Sequence, residues 1–352
     1  MRMDYNGKYK VFDSARIATY PISARTNRVT VKDLILPRDV DSFVISLPDQ
    51  TCVDIDIIAR AIVSAGKARQ PVIVFTGAHL IKNGLGLLLM DLINRRLVTL
   101  VAGTGSTAIH DFEMALVGQT SENVPGSLGK GQFGMAYEFA YINCAISIGN
   151  ERNLGLGESL GKMICDEEFR NEVLAMVAKK DSPRKSLYSE ISVLAACYKN
   201  GIPFTVHVGI GTDVTDQHPS FDGQAKGGCS GRDFLIFVSE ITKLTAGGVI
   251  LNIGSAVTGP EVLLKAVSMA ANVGSSPRNI IVADFDLRGY QADEVSDESA
   301  QGYYFRDQKS VVTRIPQAFA GKGFYIQGNQ KKAFPLLYKK IIEKLKLQGK
   351  NQ

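Results

Sequence analysis

The stretch from Phe204 to Asp222 holds two of the chain's four histidines, His207 and His218, and three aspartates, Asp213, Asp216 and Asp222. A histidine changes charge near neutral pH, so beside a carboxylate it can take up and return a proton during a reaction. The same nitrogen and oxygen donors suit a divalent metal, with His207, Asp213, His218 and Asp222 as the candidate ligands. The chain has no HExxH or comparably specific spacing, and both chemistries stay open at this point. The other two histidines, His79 and His110, fall just past runs that read as strands, and Asp111 follows His110.

Turns rich in glycine and hydroxyl groups offer a second kind of chemistry. Gly103-Thr104-Gly105-Ser106-Thr107 follows an apolar run at 97–102 and leads into a helix expected to open near His110. Free N–H groups and the positive end of a helix dipole at such a turn suit a phosphate. Gly254-Ser255-Ala256 follows the run VILN at 249–252 and is a further phosphate candidate, with Pro260 placed for the first turn of a helix over 261–271. Thr76-Gly77-Ala78-His79, after VIVF at 72–75, makes the strand, glycine turn and helix of a βα unit.

The elements that must position these groups are read from apolar spacing. Strands are expected at 42–47, 72–75, 97–102, 202–208, 249–252, 279–283, 311–315 and 324–326. Helices are expected at 54–65, 80–95, 151–164, 167–179, 183–199, 233–244 and 261–271, with another from Ala333; that at 233–244 comes after the glycines at 227, 228 and 231. Strands alternating with helices predict α/β: a Rossmann-like, doubly wound, mostly parallel sheet. Ligands of such sheets bind beyond the carboxyl ends of the strands, and the four histidines would share that edge. Residues 1–40 read as an N-terminal arm and 41–352 as a single α/β domain. The glycine- and aromatic-rich stretch at 126–157 suggests a flap or an intersubunit surface.

Composition narrows the function classes. The 352 residues carry a formal charge of +5, and much of the basic excess lies in the last helix, at Lys339, Lys340, Lys344, Lys346 and Lys350. No aromatic platform interleaves these lysines, so they read as a solvated face and no nucleic-acid partner is expected. The five cysteines are odd in number and lack a CxxC pair, which speaks against a disulfide framework or zinc ribbon and for a reducing cytoplasm. No run approaches the roughly 18 apolar residues of a membrane span, and the first residues lack a signal-peptide core. A soluble, cytoplasmic protein is expected.

From about residue 70 onward the order of motifs resembles deoxyhypusine synthase, the NAD-dependent enzyme that moves the aminobutyl group of spermidine onto a lysine of a translation-factor precursor. The family's T-S-N-L-I-S-S-G resembles Thr76-Gly77-Ala78-His79-Leu80-Ile81-Lys82-Asn83-Gly84, and its T-T-A-G-G-V-E-E-D resembles Gly103-Thr104-Gly105-Ser106-Thr107-Ala108-Ile109-His110-Asp111. Its Asn-x-Ile-Pro-Val strand resembles Asn200-Gly201-Ile202-Pro203-Phe204, its G-G-G turn falls on Gly254-Ser255-Ala256, and its F-P-L-L is present at Phe334-Pro335-Leu336-Leu337. The chain departs from the family where a glutamate of the amine site becomes His110 and where the histidine after G-G-G becomes Gly259 or Pro260. It has no tryptophan before a reactive lysine, the nearest lysine being Lys309.

The resemblance implies NAD as hydride acceptor, held by Gly77, Ala78, His79, Gly103, Thr104, Gly105, Ser106, Gly254, Ser255 and Ala256, with Asp284 beside them. It implies an amine or polyamine substrate worked on by His110, His207 and Asp213, with Asp213, Asp216, Asp284 and Asp286 available to a cation and Lys309 as covalent carrier. A homo-oligomer, dimer or tetramer, goes with it. The departures point to a divergent homologue with its own substrate rather than a true deoxyhypusine synthase. The alternatives are a metal-dependent hydrolase built on the histidines and aspartates, and a non-catalytic ligand-binding protein of the same fold.

Overall fold

The computed structural model describes residues 5–177 and 188–349. Its strands are β1 (Asn27–Thr30), β2 (Val72–Thr76), β3 (Leu100–Thr104), β4 (Gln119–Glu122), β5 (Phe204–His207), β6 (Val249–Ile253), β7 (Ile281–Asp286) and β8 (Lys322–Gln327). The helices are α1 (Asp49–Ala68), α2 (His79–Lys82), α3 (Gly86–Asn94), α4 (Gly105–Val117), α5 (Val124–Leu128), α6 (Phe139–Glu151) and α7 (Leu156–Cys165). They continue as α8 (Glu167–Met176), α9 (Val193–Asn200), α10 (Gly223–Ile241), α11 (Thr258–Asn272), α12 (Ile315–Ala318) and α13 (Gln330–Gly349).

Six strands form one parallel sheet in the order β5-β3-β2-β6-β7-β8. Counted along the chain this is 3-2-1-4-5-6, the doubly wound Rossmann order, and its direction of winding reverses between β2 and β6. β2 is apolar throughout apart from its last residue and buried along its length, as a strand covered on both faces must be. Ile55, Ile58 and Ile62 of α1 and Leu337 and Ile341 of α13 pack on one face; Phe237 and Ile241 of α10 and Leu263 and Val267 of α11 pack on the other. Register holds the polar strand ends level: Thr76 lies beside Gly103, Thr104 beside His207, and Asn252 beside Asp284.

Several expected elements differ. The expected strand at 42–47 does not form: Val44 is 95% exposed while Ile45 and Leu47 pack on the core, so the two-residue alternation is real but among the described residues no neighbour supplies a ladder. The expected strand at 311–315 is a π-helical turn (Asp307–Arg314) running into α12, because Val311 and Ile315, four residues apart, bury the same helical side. α10 starts at Gly223 rather than 233 and absorbs its glycines; a Cβ on Gly228 would overlap the Asn150 side chain of α6, so the glycine permits the close helix contact. α4 starts at Gly105, five residues before His110, which makes the glycine and hydroxyl turn the helix start itself.

The stretch read as a flap contains α6, whose Phe139 and Tyr141 are among the most buried side chains, so this part is core. Of the expected helices at 167–179 and 183–199, residues 178, 179 and 183–187 lie outside the described residues; α8 and α9 account for the rest, with a short 3-10 turn at Ser189–Ile191. In the arm, β1 pairs antiparallel with β4, and Ile22 and Val40 are buried.

Candidate active site

The turns after β2, β3 and β5 surround a cavity of about 180 Å³, lined among others by Lys82, Ser106, His110, Thr212 and Asp213. The arm closes its side with Arg25, and β4 contributes Glu122. Three strand ends therefore meet a segment far upstream in the chain.

α4 begins where Thr104 leaves the sheet. The Thr104 hydroxyl accepts from the Thr107 N–H (3.3 Å) while Thr107 Oγ1 accepts from the Thr104 N–H (3.3 Å), a reciprocal cap. The anion that this helix start attracts is provided by the chain, because a Cβ on Gly105 would overlap the carboxylate of Asp213. Asp213 pairs with Lys226 Nζ (2.8 Å), and Lys226, nearly fully buried, also bonds Asp216. Burial raises the Asp213 pKa, and the Lys226 charge and hydrogen bond offset part of that rise. The expectation that Gly103, Thr104 and Gly105 cradle a phosphate is corrected accordingly: Gly103 is buried inside β3, Thr104 is spent on the cap, and Gly105 seats Asp213. Ser106 does line the cavity.

His110 reaches the cavity from the second turn of α4. Its Nδ1 lies 2.6 Å from Thr120 Oγ1, and the Thr120 hydroxyl donates to Glu113. Arg25 Nη2 pairs with the other Glu113 oxygen at 2.7 Å and Arg25 Nη1 stands 3.8 Å from Glu122, which also accepts from the Tyr20 hydroxyl (3.0 Å) and the Gly134 N–H (3.0 Å). Burial alone would raise the Glu113 pKa; bonding to His110, the Arg25 charge and the Thr120 hydroxyl outweigh it and hold the carboxyl below its ordinary range. His79, at the start of α2, lies within electrostatic reach of His110, and partial burial together with Lys82 and His110 lowers its pKa. Arg25, Glu113, Thr120, Glu122, Lys82 and Lys226 escaped the sequence reading. Only Glu113, three residues beyond His110 on one helical face, carried a local signal.

At the point where the winding reverses, Gly77 and Gly254 approach backbone to backbone, and a Cβ on Gly77 would overlap the Gly254 carbonyl. Gly254 has φ of +65°, a conformation glycine adopts without strain. Ala78 and Ala256 flank this contact half-buried, while the Ser255 hydroxyl accepts from the Gly259 N–H (2.9 Å) at the start of α11. The small side chains leave the crevice floor as backbone, which fits a dinucleotide laid across it. The turns after β2 and β6 do not carry the motif GxGxxG, which occurs in this chain at 129–134 between α5 and α6, and α2 is only one turn long, so the fit rests on α11, the glycines and Lys82.

The remaining expected site residues lie elsewhere. His207 does not face the cavity: it stacks on Phe75 (5.5 Å) and meets Phe237 edge-on (5.3 Å), and burial lowers its pKa to about 4. Strand alternation turns Thr205 and His207 to the face covered by α10, and His207 Nε2 finds Thr205 Oγ1 at 3.1 Å. His218 Nδ1 accepts from the Ser220 N–H (3.1 Å), and Asp222 caps α10 through the Gln224 and Ala225 N–H groups (2.9 and 3.0 Å). Among the described residues no three His, Cys, Asp or Glu side chains converge as a metal site, so the metal reading of His207, Asp213, His218 and Asp222 gains no support.

Lys309 is also misplaced. It is buried in the π-helical turn with Nζ 2.9 Å from the Tyr303 ring centre, and that turn packs on α11, β7 and β8, toward the sheet edge opposite β5. Asp284 sits within β7, where Asn252 Nδ2 donates to it (2.6 Å); burial and then Asp307 raise its pKa well above the carboxylate range. It is a buried acid beside the crevice, with its neighbour Asp286 held by Arg288 (2.9 Å).

No family model matches the chain, and no curated protein matches it. Solved structures are similar in fold. One is the ternary complex of AgrE with ornithine and NAD+, at 13% identity and TM-score 0.46, covering 86% of this chain and 34% of that one. A conserved LOR/SDH candidate from Methanococcus maripaludis S2 has 15% identity and TM-score 0.45, with 86% and 72% covered. A deoxyhypusine synthase candidate from Entamoeba histolytica has 12% identity and TM-score 0.42, with 93% and 97% covered. The chain spans about a third of the AgrE chain's length. Among the described residues no helix is long and apolar enough to cross a membrane.

Proposed function

We propose that the chain is an NAD-binding enzyme that oxidises or transfers a small amine, a divergent relative of deoxyhypusine synthase acting in the cytoplasm. One observation carries the reading: the 3-2-1-4-5-6 strand order has its reversal crevice between β2 and β6, and α2, which follows β2, ends in Lys82 on the lining of a cavity that holds a histidine and carboxylates. Gly77, Ala78, Gly254, Ser255 and Ala256 would hold the dinucleotide, with Lys82 answering its phosphate charge. Among the described residues, Lys82 is the lining cation without a carboxylate partner.

Bound NAD would supply a hydride acceptor. The chain's own work is to hold the amine and take its proton. Loss of that hydride from carbon, together with one proton from nitrogen, would leave a carbon–nitrogen double bond. Asp213 and Glu122 would attract the ammonium, and His110 is the group placed to receive the proton. Lys309 has no part in this reading.

Calorimetric titration with NAD tests it. Binding at micromolar to sub-millimolar concentration is expected, and a folded protein that binds none at millimolar NAD removes the reading. Exposed Tyr9, Val11 and Phe12 on the arm support a homo-oligomer. A monomeric mass by light scattering at micromolar protein would overturn that part.

A further inference from the structure

The hydrogen-bond chain behind His110 has only one consistent proton arrangement. A hydroxyl has one proton to give, and Thr120 gives its proton to Glu113, whose ionised carboxylate can only accept. The 2.6 Å contact between Thr120 Oγ1 and His110 Nδ1 then needs the proton on Nδ1. In the neutral ring this leaves the lone pair on Nε2, which has no protein partner among the described residues. His110 lines the cavity, and Nε2 is the polar atom its ring has left to offer.

The order of the chain is held from behind. Arg25 pairs with Glu113, and Thr120 is fully buried, so solvent does not compete for its hydroxyl. We propose that Thr120 and Glu113 are positioning residues, anchored by Arg25, that lock His110 in the Nδ1–H form and present its Nε2 lone pair to the cavity as acceptor of the substrate ammonium's proton. The last clause rests on the amine reading above; the tautomer does not. The proton passes from the ammonium nitrogen to Nε2, giving a neutral amine and an imidazolium whose Nδ1–H keeps its bond to Thr120. The charged groups around the ring are Arg25 from the arm, Lys82 and His79 from α2, Glu113 from its own helix, Glu122 from β4 and Asp213 from the loop after β5.

Long-range proton–nitrogen NMR on the 15N-labelled full chain, with His110→Gln to assign the signal, reads the tautomer directly. At pH 8 the parent should show Nδ1 protonated and Nε2 bare. Thr120→Val keeps the shape and removes the relay, and should give a tautomer mixture or the Nε2–H form, while Thr120→Ser keeps the parent pattern. An Nε2–H parent, or a Val variant with unchanged Nδ1–H, overturns the proposal; should the Val variant not fold, the parent spectrum alone decides. In a second titration, 1,4-diaminobutane at millimolar concentration should shift the Nε2 signal of the parent, and an unmoved signal removes the substrate clause. Absence of NAD binding by calorimetry would sink the proposed function while leaving the tautomer result standing.

Discussion

His110, in the helix after β3, and His207, at the end of the neighbouring strand β5, stand near the carboxyl edge of the same sheet, and their surroundings are opposites. His110 backs onto a threonine, a carboxylate and an arginine and lines a cavity. His207 is walled by Phe75, Phe234 and Phe237, and its hydrogen-bond partner among the described residues is Thr205. Both rings are aromatic and titratable, so residue type does not separate them. A histidine that must exchange protons needs a polar partner on one side and free space on the other; a histidine sealed among phenyl rings is a neutral core residue.

The largest effect should come from the charges that hold the cavity side in shape. Lys226→Met leaves Asp213 and Asp216 buried without their common cation and should cost about 3–5 kcal/mol, read by urea denaturation; a loss below about 1 kcal/mol would mean that packing rather than charge holds this loop.

The sealed side should report through pH. The folded pKa of His207 is depressed to about 4 from an ordinary 6.5, so the unfolded chain binds the extra proton. Its contribution is fully present above about pH 6.5 and is lost as pH falls toward 4, to a limit of about 3 kcal/mol. Asp111 and Asp233, with pKa values raised by burial to about 6 and about 7, act in the opposite direction over the same range. The difference between parent and His207→Gln isolates the histidine: the parent should lose stability relative to the variant between pH 6.5 and 4. Parallel curves would show that His207 is not held neutral.

At pH 7.5 the two histidines should separate by mutation. His207→Gln should cost about 1–2 kcal/mol and leave NAD affinity unchanged, whereas His110→Gln should cost about 1 kcal/mol or less and abolish the response to amines. Melting curves with calorimetry on both variants check this, and equal thermal loss would erase the contrast. The smallest stability effect is expected at Lys82→Met, within about 0.5 kcal/mol of the parent. NAD affinity should nonetheless fall several-fold by calorimetry, and unchanged affinity would move the dinucleotide away from α2.

Much of the fold was legible in the sequence because burial on both faces writes itself as local apolar runs: VIVF, VILN and the strand before His207 were each found, and their alternation with helices predicts the sheet. The errors share a cause. Residues 42–47 and 311–315 have strand-like content, but a strand needs a hydrogen-bonded neighbour and 311–315 had a better use as a buried helical side. At the site, His110, Asp213 and Ser106 were legible as residue types after strands. Which histidine faced the cavity was not, since a strand's side chains alternate and the face assigned to His207 depends on α10 covering it.

What the sequence determined by itself is therefore what short-range spacing encodes: the βα alternation, the small residues at the turns, and a supply of acid and base groups near strand ends. Tertiary structure decided the pairings. Arg25 meets Glu113 across 88 positions of chain, Lys226 reaches back to Asp213, and β1 pairs with β4. Such contacts leave no periodic trace, because their partners are chosen by the path of the backbone and by the cost of burying an unpaired charge.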